Sequence, residues 1–269
     1  MFNLLRMDLR RLFRTRSFYI MLGVTAAFLM MTVAIVSVAM DQAKLDALES
    51  TGLVVTGGDS EDMMELLHGM NRLDFLHECL GSGFLLALAC IGVTLFVNGD
   101  FSSGCVKNIC FARPRRWEYV LSKILIAGLY TAAITILGVL VSLVCPIFMG
   151  LHLETSSFTE ILQYAFWMWP PTWAFSLLGL ALVLLTRSST LSVIMAVVAG
   201  GGLMAALLQS LCQGFGWPDL TQYLLNMVVR SQCAPMPDGG RIAMILGCSL
   251  GWAALYAAGS FITMEKRDI

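Results

Sequence analysis

Charged residues are scarce in this chain, and they are absent from six long stretches. Asp, Glu, Lys and Arg make up 13% of the 269 residues, whereas hydrophobic residues make up 58%. Soluble globular domains carry about 25% charged residues, so this composition excludes that class. The charge-free stretches are 17–40, 79–99, 124–149, 161–186, 188–211 and 242–264.

Each charge-free stretch is long enough to be a membrane span. The shortest has 21 residues, and about 20 apolar residues in a helix cross a hydrocarbon core of roughly 30 Å. We therefore predict an all-α membrane protein with six transmembrane helices. No repeat or low-complexity tract divides it, so residues 1–269 are expected to form a single transmembrane domain.

Several motifs that carry chemistry are missing. No Gly-Lys pair occurs, so the chain lacks the phosphate-binding loop through which many ATPases hold ATP. No H-E-x-x-H and no C-x-x-C occurs either, and His68 and His77 are two outer-loop histidines without a third ligand at a fixed offset. We expect them to be solvated, and we expect no catalytic residue, cofactor or metal in this chain.

The six stretches also lack ionisable side chains, which bears on how a transporter would be driven. Proton- and sodium-coupled carriers usually hold a charge inside the membrane. No Asp, Glu, Lys, Arg or His lies within the six stretches. This pattern disfavours an ion-coupled carrier and indicates that energy comes from another subunit.

The distribution of basic residues predicts the orientation of the chain. Lys and Arg accumulate in cytoplasmic loops. With the N-terminus inside, 13 of the 17 basic residues face the cytoplasm. We therefore predict that both termini are cytoplasmic. The basic residues left outside are Lys44, Arg72, Arg230 and Arg241.

Residues 2–16 are predicted to form an amphipathic helix ahead of the first span. Its apolar residues fall within a sector of about 100° on a helical wheel: Phe2, Leu5, Leu9, Leu12 and Phe13. Its arginines lie opposite: Arg6, Arg10, Arg11 and Arg14. Such a helix lies in the inner interface with its arginines toward lipid phosphates. A basic flank that serves only to set the topology is the alternative, and the two are compatible.

Local features of the spans give further expectations. Three tryptophans of the fourth stretch are expected at the outer interface: Trp167, Trp169 and Trp173. The adjacent Pro170-Pro171 should start or kink that helix. Glycines at 200–202 and at Gly247 and Gly251 should permit close helix contacts. Cys212 and Cys233 share the last outer loop, and a disulfide between them stays an open alternative.

The cytoplasmic segment 100–123 combines a helix signal with a basic corner. Ser102 or Ser103 is expected to cap a short helix that runs to about Ala112. Pro114 then breaks that helix and can start the next one, which leads into the third span. A plain positive-inside loop explains the basic residues of this segment, but not the capped helix and the proline corner.

This segment resembles the first cytoplasmic loop of bacterial type-2 ABC transporter permeases. That loop has an acidic–aromatic–x–x–Gly–x–x–Lys–Asn pattern, a short helix, a Pro/Arg corner and a Lys that opens the third span. The matching runs here are Asp100-Phe-Ser-Ser-Gly-Cys-Val-Lys-Asn-Ile and Arg113-Pro-Arg-Arg-Trp-Glu-Tyr-Val-Leu-Ser-Lys123. The run from Leu5 to Ser17 is also similar to that family's start.

The resemblance implies that residues 100–116 form a coupling helix, which docks on a separate ATP-binding subunit. The matching positions are Asp100, Gly104, Lys107, Asn108, Pro114, Arg115, Arg116 and Lys123. It also implies that residues 2–16 are the interfacial elbow helix, with Arg6, Arg10, Arg11 and Arg14. A second permease chain, identical or different, and membrane lipid are the other implied partners; no nucleic acid is implied.

The expected function is therefore that of a permease subunit of an ATP-driven exporter in the bacterial cytoplasmic membrane. ATP and Mg²⁺ would be bound by the partner ATPase, and this chain would not be an enzyme. Without charge in the spans, an amphipathic or hydrophobic cargo is favoured, such as a peptide, an antibiotic or a lipid-like molecule. The alternatives are an ion-coupled secondary transporter or channel, and a membrane scaffold that transports nothing.

Overall fold

The chain was examined as a computed structural model that describes residues 2–39, 71–105, 117–149, 153, 156–232 and 239–266. The described residues are almost all helical, and they contain no β-strand. Nine helices of eight residues or more occur in this described part of the chain. They are α1 (Phe2–Arg14), α2 (Arg16–Ala39), α3 (Arg72–Gly81), α4 (Phe84–Ser102), α5 (Trp117–Phe148), α6 (Phe158–Thr186), α7 (Ser189–Gly200), α8 (Leu203–Phe215) and α9 (Gly239–Lys266).

Five of these helices are long and apolar enough to cross a bilayer, namely α2, α4, α5, α6 and α9. The pair α7 and α8 makes a sixth if the two are counted together, although they meet at a 60° bend. The all-α membrane class predicted from the charge-free stretches is confirmed at this level. The described residues therefore give five or six candidate spans, and the predicted number of six is reached only if the bent pair is one span.

The second stretch is interrupted, which the sequence pattern did not predict. Stretch 79–99 was predicted as one span, but α3 ends at Gly81 and α4 begins at Phe84. Gly83 lies between them with a φ of 80°, a left-handed conformation that costs an L side chain about 1–2 kcal/mol. A charge-free criterion cannot detect such a break, because glycine is as apolar as its neighbours.

The fifth stretch is bent where three glycines follow one another. α7 ends at Gly200, and α8 begins after Gly202, whose φ is 84°. The close contact expected at these glycines is found at Gly200, where an added Cβ would lie 2.9 Å from the Cβ of Ala87. A Cβ added to Gly247 or Gly251 of α9 would meet no atom of another element within 4 Å in the described part of the chain. The sixth stretch therefore does not use its glycines for packing within the described residues.

The fourth span begins earlier than its prolines suggested. α6 starts at Phe158, where the backbone N–H of Ser157 donates to a carboxylate oxygen of Glu160 at 3.1 Å. This reciprocal capping arrangement satisfies amide groups that a helix N-terminus leaves unpaired. The helix then continues through Pro170 and Pro171. Of the two alternatives predicted for these prolines, a helix start is therefore wrong, and a kink stays a prediction.

Two tryptophans of α6 contact a neighbouring helix at mid-length. The indole N–H of Trp169 donates to the Gly128 carbonyl at 3.0 Å, and that of Trp173 donates to the Ile124 carbonyl at 3.1 Å. Both acceptors belong to α5. Both side chains therefore serve helix pairing within the fold, and their expected position at the outer interface stays a prediction.

α6 lies at the centre of the bundle and packs against α4, α5, α7 and α9. A buried hydroxyl pair joins three of these helices: the Oγ1 of Thr94 and the Oγ of Ser192 are 2.9 Å apart, and Ser192 donates to the Gly179 carbonyl at 3.2 Å. Such interhelical hydrogen bonds stabilise membrane bundles by about 0.6 kcal/mol each. α4, α6 and α7 are therefore tied together where α4 approaches its C-terminal end.

Candidate functional site

The strongest concentration of buried charge lies where α1, α4 and α5 meet. The ammonium nitrogen of Lys123 is 2.7 Å from an oxygen of Asp8 and 2.7 Å from an oxygen of Asp100. The two aspartates have no exposed surface, and Lys123 is 1% exposed. One lysine of α5 therefore bridges a carboxylate from α1 and a carboxylate from the last turn of α4.

A second cation completes this group. Arg11 of α1 is ion-paired with Asp100 through its guanidinium group. The side chain of Arg11 is 30% exposed, so it forms the edge of the group. We call Asp8, Arg11, Asp100 and Lys123 the ionic cluster; with two acids and two bases, its formal charge is zero.

Every carboxylate oxygen in the ionic cluster has a partner. The hydroxyl of Ser122 donates to the second oxygen of Asp8 at 2.7 Å, and the hydroxyl of Tyr119 donates to Asp100 at 3.1 Å. The Lys123 nitrogen also lies 4.8 Å from the centre of the Phe96 ring, a distance at which cation–π attraction acts. Buried charges are tolerated when they are paired and hydrogen-bonded in this way.

The face of α1 that packs on the bundle explains how Asp8 reaches the cluster. Leu4 and Leu12 are buried on the same face as Asp8, at spacings of four residues. Phe13, which the helical wheel assigned to the apolar sector, is 54% exposed. Phe13 is therefore open to the surroundings of the protein, as a side chain in the membrane interface would be. The wheel assigned only the arginines to the opposite face, and it did not anticipate a buried aspartate on the face that packs on the bundle.

The four predicted elbow arginines divide into two kinds. Arg6, Arg10 and Arg14 are exposed, as expected for an interfacial face. Arg11 is instead half-buried against Asp100. The sequence prediction is therefore corrected for Arg11, whose charge is neutralised within the protein.

The predicted docking positions lie partly within the described residues. Asp100 and Lys123 come together in the ionic cluster, and Gly104 follows α4 with a φ of 67°. Its backbone N–H donates to the Phe101 carbonyl at 3.1 Å, which makes a tight turn after the helix. The remaining docking positions lie outside the described residues: Lys107, Asn108, Pro114, Arg115 and Arg116.

The start of the predicted coupling helix is corrected. Ser102 and Ser103 were expected to cap a helix that begins after them. α4 instead runs to Ser102, and the Ser103 hydroxyl donates to the Gly99 carbonyl at 2.7 Å. Both serines therefore close the C-terminal end of α4. The short helix predicted to follow them, as far as about Ala112, lies mostly outside the described residues and stays a prediction.

His77 belongs to the fold rather than to a solvated loop. It lies on α3, where one ring nitrogen is 3.2 Å from the Tyr164 hydroxyl and the other is 2.9 Å from the Arg230 carbonyl. These contacts tie α3 to α6 and to the segment before α9. Among the described residues, no group of three His, Cys, Asp or Glu side chains is placed to hold a metal ion. His68 and Cys233 lie outside the described residues.

No family model and no curated protein matches this chain. The geometry of the ionic cluster is therefore the best guide to what the chain does. The cluster contains no nucleophile aimed at a substrate cavity, and its charges cancel one another. Its evident physical effect is to hold three helices together around the segment between Asp100 and Lys123.

Sequence reasoning missed Asp8, although a signal was present. Asp8 is the single acidic residue of α1, and five arginines surround it in the sequence between Arg6 and Arg16. An acid placed three positions before Arg11 on a basic helix lies on one face with it. That pattern would have indicated a polar contact with the bundle, although it could not have named Lys123 as the partner.

Proposed function

We propose that this chain is a permease subunit of an ATP-driven exporter of the type-2 ABC class. In this proposal, both termini are cytoplasmic, and residues 103–116 dock on a separate ATP-binding subunit. One observation carries it. The segment that resembles the family's coupling loop starts next to Asp100 and ends before Lys123, and these two residues are ion-paired at 2.7 Å in the interior.

The ionic cluster supports a role in transmitting movement. A docked subunit that displaces the loop would act on α4 and α5 at once, because a buried ion pair joins the two helices beside the loop. Asp8 and Arg11 join α1 to the same point. Packed elements of this kind shift as rigid bodies rather than deforming continuously. The movement would then pass from α4 to α6 and α7 through Thr94, Ser192 and the Gly179 carbonyl.

The orientation rests on charge. A 13-to-4 excess of Lys and Arg on one side supports a cytoplasmic N-terminus and C-terminus. The exposed Arg6, Arg10 and Arg14 of α1 suit an elbow helix that lies against anionic headgroups. We place the protein in the bacterial cytoplasmic membrane, with a second permease chain, on the strength of the same resemblance.

The energy source follows from the missing phosphate-binding loop. Without a Gly-Lys pair, this chain offers no Walker-type site for ATP. Hydrolysis would therefore take place on the partner subunit, with ATP and Mg²⁺ bound there. The cargo is an amphipathic or hydrophobic molecule, because the spans offer apolar surface and only a few buried, already paired charges.

The test is the recovery of an ATPase with the tagged chain from its native membrane in mild detergent. We expect a P-loop ATPase in stoichiometric amount, and we expect it to be lost from the variant Arg115→Glu/Arg116→Glu. The control Arg230→Glu/Arg241→Glu makes the same charge change on the predicted outer side and should retain the ATPase. Recovery of the permease without any ATPase would overturn the proposal, and so would equal recovery with both double variants.

An ion-coupled carrier is the second candidate, and the ionic cluster is the observation that favours it. Proton-coupled transporters use buried acids and bases of this kind. Here, however, each carboxylate oxygen of Asp8 and Asp100 already has a partner. Reconstitution of the chain alone would decide: uptake or release of a cargo driven by a proton gradient, and abolished by Asp100→Asn, would support the carrier.

A further inference from the structure

The two interrupted spans touch each other at their breaks. The Cα of Gly83, between α3 and α4, lies against the carbonyl oxygen of Gly200, at the end of α7. A methyl group on Gly83 would overlap that oxygen, so the contact depends on glycine. Backbone that leaves the helical pattern at membrane depth is tolerated where it is buried in protein or lines a cavity. Gly83 and Gly200 are both buried, so the contact between the breaks meets the first of these conditions.

Asn226 fills the gap between the two breaks. Its side-chain oxygen would lie 2.6 Å from a Cβ on Gly83, and its side-chain nitrogen 3.3 Å from a Cβ on Gly202. Asn226 is 8% exposed, on the short helical segment that precedes α9. A polar amide is thus held in the interior of the bundle, next to both helix breaks.

A cavity of about 180 Å³ lies beside this amide. Its wall is formed by α6, α7, α8, α9 and the segment around Asn226, so both halves of the bent span contribute. The residues that matter to its chemistry are Phe175, Met195, Ala199, Met204, Trp252 and Tyr256. Apart from Asn226 and the polar tips of the two aromatic residues, the lining is apolar.

One wall of the cavity is a fixed aromatic surface. The rings of Trp252 and Tyr256 are stacked with centroids 5.5 Å apart and planes inclined by 27°. The indole N–H of Trp252 donates to the Tyr223 carbonyl at 2.9 Å, which holds the ring in place. Met195 and Met204 also line the cavity, and their flexible side chains can adapt to a ligand's shape.

Size and chemistry limit the occupant. An apolar cavity of about 150 Å³ is large enough to bind benzene, so this cavity takes a ring or a branched alkyl group of similar or slightly larger size. The stacked pair favours a flat ring. Asn226 lines the cavity, so its amide can form a hydrogen bond with a ligand that carries one polar atom.

We propose that this cavity is a binding site for one aromatic group of the cargo, which carries a single hydrogen-bonding atom toward Asn226. The assignment to the cargo rests on the proposed transport function, whereas the existence of the site does not. Because α7 and α8 both line the cavity, the ligand contacts span five on both sides of its bend. The lining residues named above all come from one chain.

The test uses 1-aminonaphthalene, a small fluorescent aromatic amine, as the probe. The full chain is placed in lipid nanodiscs, and nanodiscs of the same lipid without protein provide the blank for partition into lipid. We expect saturable binding of one probe per chain. Ala199→Leu fills the cavity and Asn226→Leu removes the amide, and each should weaken binding by at least about tenfold.

The matched control is Ala258→Leu, which makes the same change as Ala199→Leu on an exposed position of α9. It should leave binding unchanged. Thermal unfolding shows whether each variant is folded; if Ala199→Leu is not, Met204→Phe fills the same space from a partly exposed position. Binding that never exceeds the lipid blank, or that responds equally to Ala199→Leu and Ala258→Leu, would overturn the site.

The outcome separates this site from the proposed function. Probe binding requires neither nucleotide nor a second protein. If the probe binds saturably but no ATPase is recovered with the chain, the cavity is a binding site and the exporter proposal is wrong. If an ATPase is recovered but the probe shows no saturable binding, the exporter proposal is supported and the proposed binding site is wrong.

Discussion

Lys123 and Asp100 face each other from two different helices, with the ammonium nitrogen 2.7 Å from a carboxylate oxygen. Asp100 and Lys123 lie at the two ends of the segment 100–123, which contains the loop that resembles a coupling loop. The pair therefore closes that segment at its base. A second carboxylate, that of Asp8, lies at the same distance from the lysine, so one side chain holds three helices at a single point.

Replacement of Lys123 by Met is expected to lower the free energy of unfolding by about 3–5 kcal/mol, because it leaves two buried carboxylates with one cation. The double variant Lys123→Met/Asp8→Asn restores a neutral cluster and should recover much of that loss. Thermal unfolding in detergent measures both. A single variant as stable as the wild type would show that the cluster does not hold the helices together.

Arg11 and its neighbour Arg10 should respond differently to replacement by Ala. Arg11→Ala removes the ion pair that Asp100 makes at the edge of the cluster, and we expect a loss of about 1–3 kcal/mol of stability. Arg10 is exposed, so Arg10→Ala should change stability by less than about 0.5 kcal/mol. Urea or thermal unfolding of the two purified variants makes the comparison; equal effects would contradict the division of the arginines.

Gly83→Ala is expected to disrupt the junction of the two helix breaks. The new methyl group would overlap the Gly200 carbonyl oxygen, and the alanine would have to adopt a left-handed backbone conformation. Gly216→Ala is the matched control, since Gly216 has a φ of 68° and a Cβ added there would meet no other atom within 4 Å. The free energy of unfolding of the control variant should fall by about 1–2 kcal/mol, the cost of the left-handed conformation for an L side chain. That of Gly83→Ala should fall clearly further. Similar melting temperatures for both would refute the contact.

Trp173→Phe should weaken the pairing of α5 and α6. The change removes the indole donor to the Ile124 carbonyl and keeps most of the aromatic surface. We expect a loss of about 0.6–1.7 kcal/mol, the range for interhelical hydrogen bonds in membrane proteins. Trp217→Phe, at a residue that is 61% exposed, should have almost no effect. Unfolding monitored by circular dichroism distinguishes the two.

The spans could be predicted from sequence because their physical requirement is local. A helix in hydrocarbon must be about 20 residues long and free of unpaired charge, and the six stretches meet this without reference to one another. The breaks at Gly83 and Gly201–Gly202 could not be predicted in the same way. Glycine occurs in continuous membrane helices as well, and the breaks depend on contacts between Gly83, Gly200 and Asn226 that are distant in sequence.

The ionic cluster was half predicted. Asp100 and Lys123 were identified through the resemblance, as ends of a docking loop, whereas their pairing was not foreseen. Arg11 was assigned to the lipid-facing side together with Arg10, because a helical wheel sorts residues by polarity alone. Asp8 was missed for the same reason: its burial is determined by a lysine and a serine of α5, and neither is visible from within α1.

The separation of Asp8 from Lys123 by 115 residues has a consequence for biosynthesis. The ribosome completes α1, α2 and α4 before Lys123 is made, so Asp8 and Asp100 are in place without their shared counter-ion. A nascent chain arrested after α4 would carry two carboxylates at the membrane with Arg11 as the one cation of the cluster. We expect that intermediate to be retained by the insertion machinery, or degraded by membrane proteases, until α5 arrives and the charges are balanced.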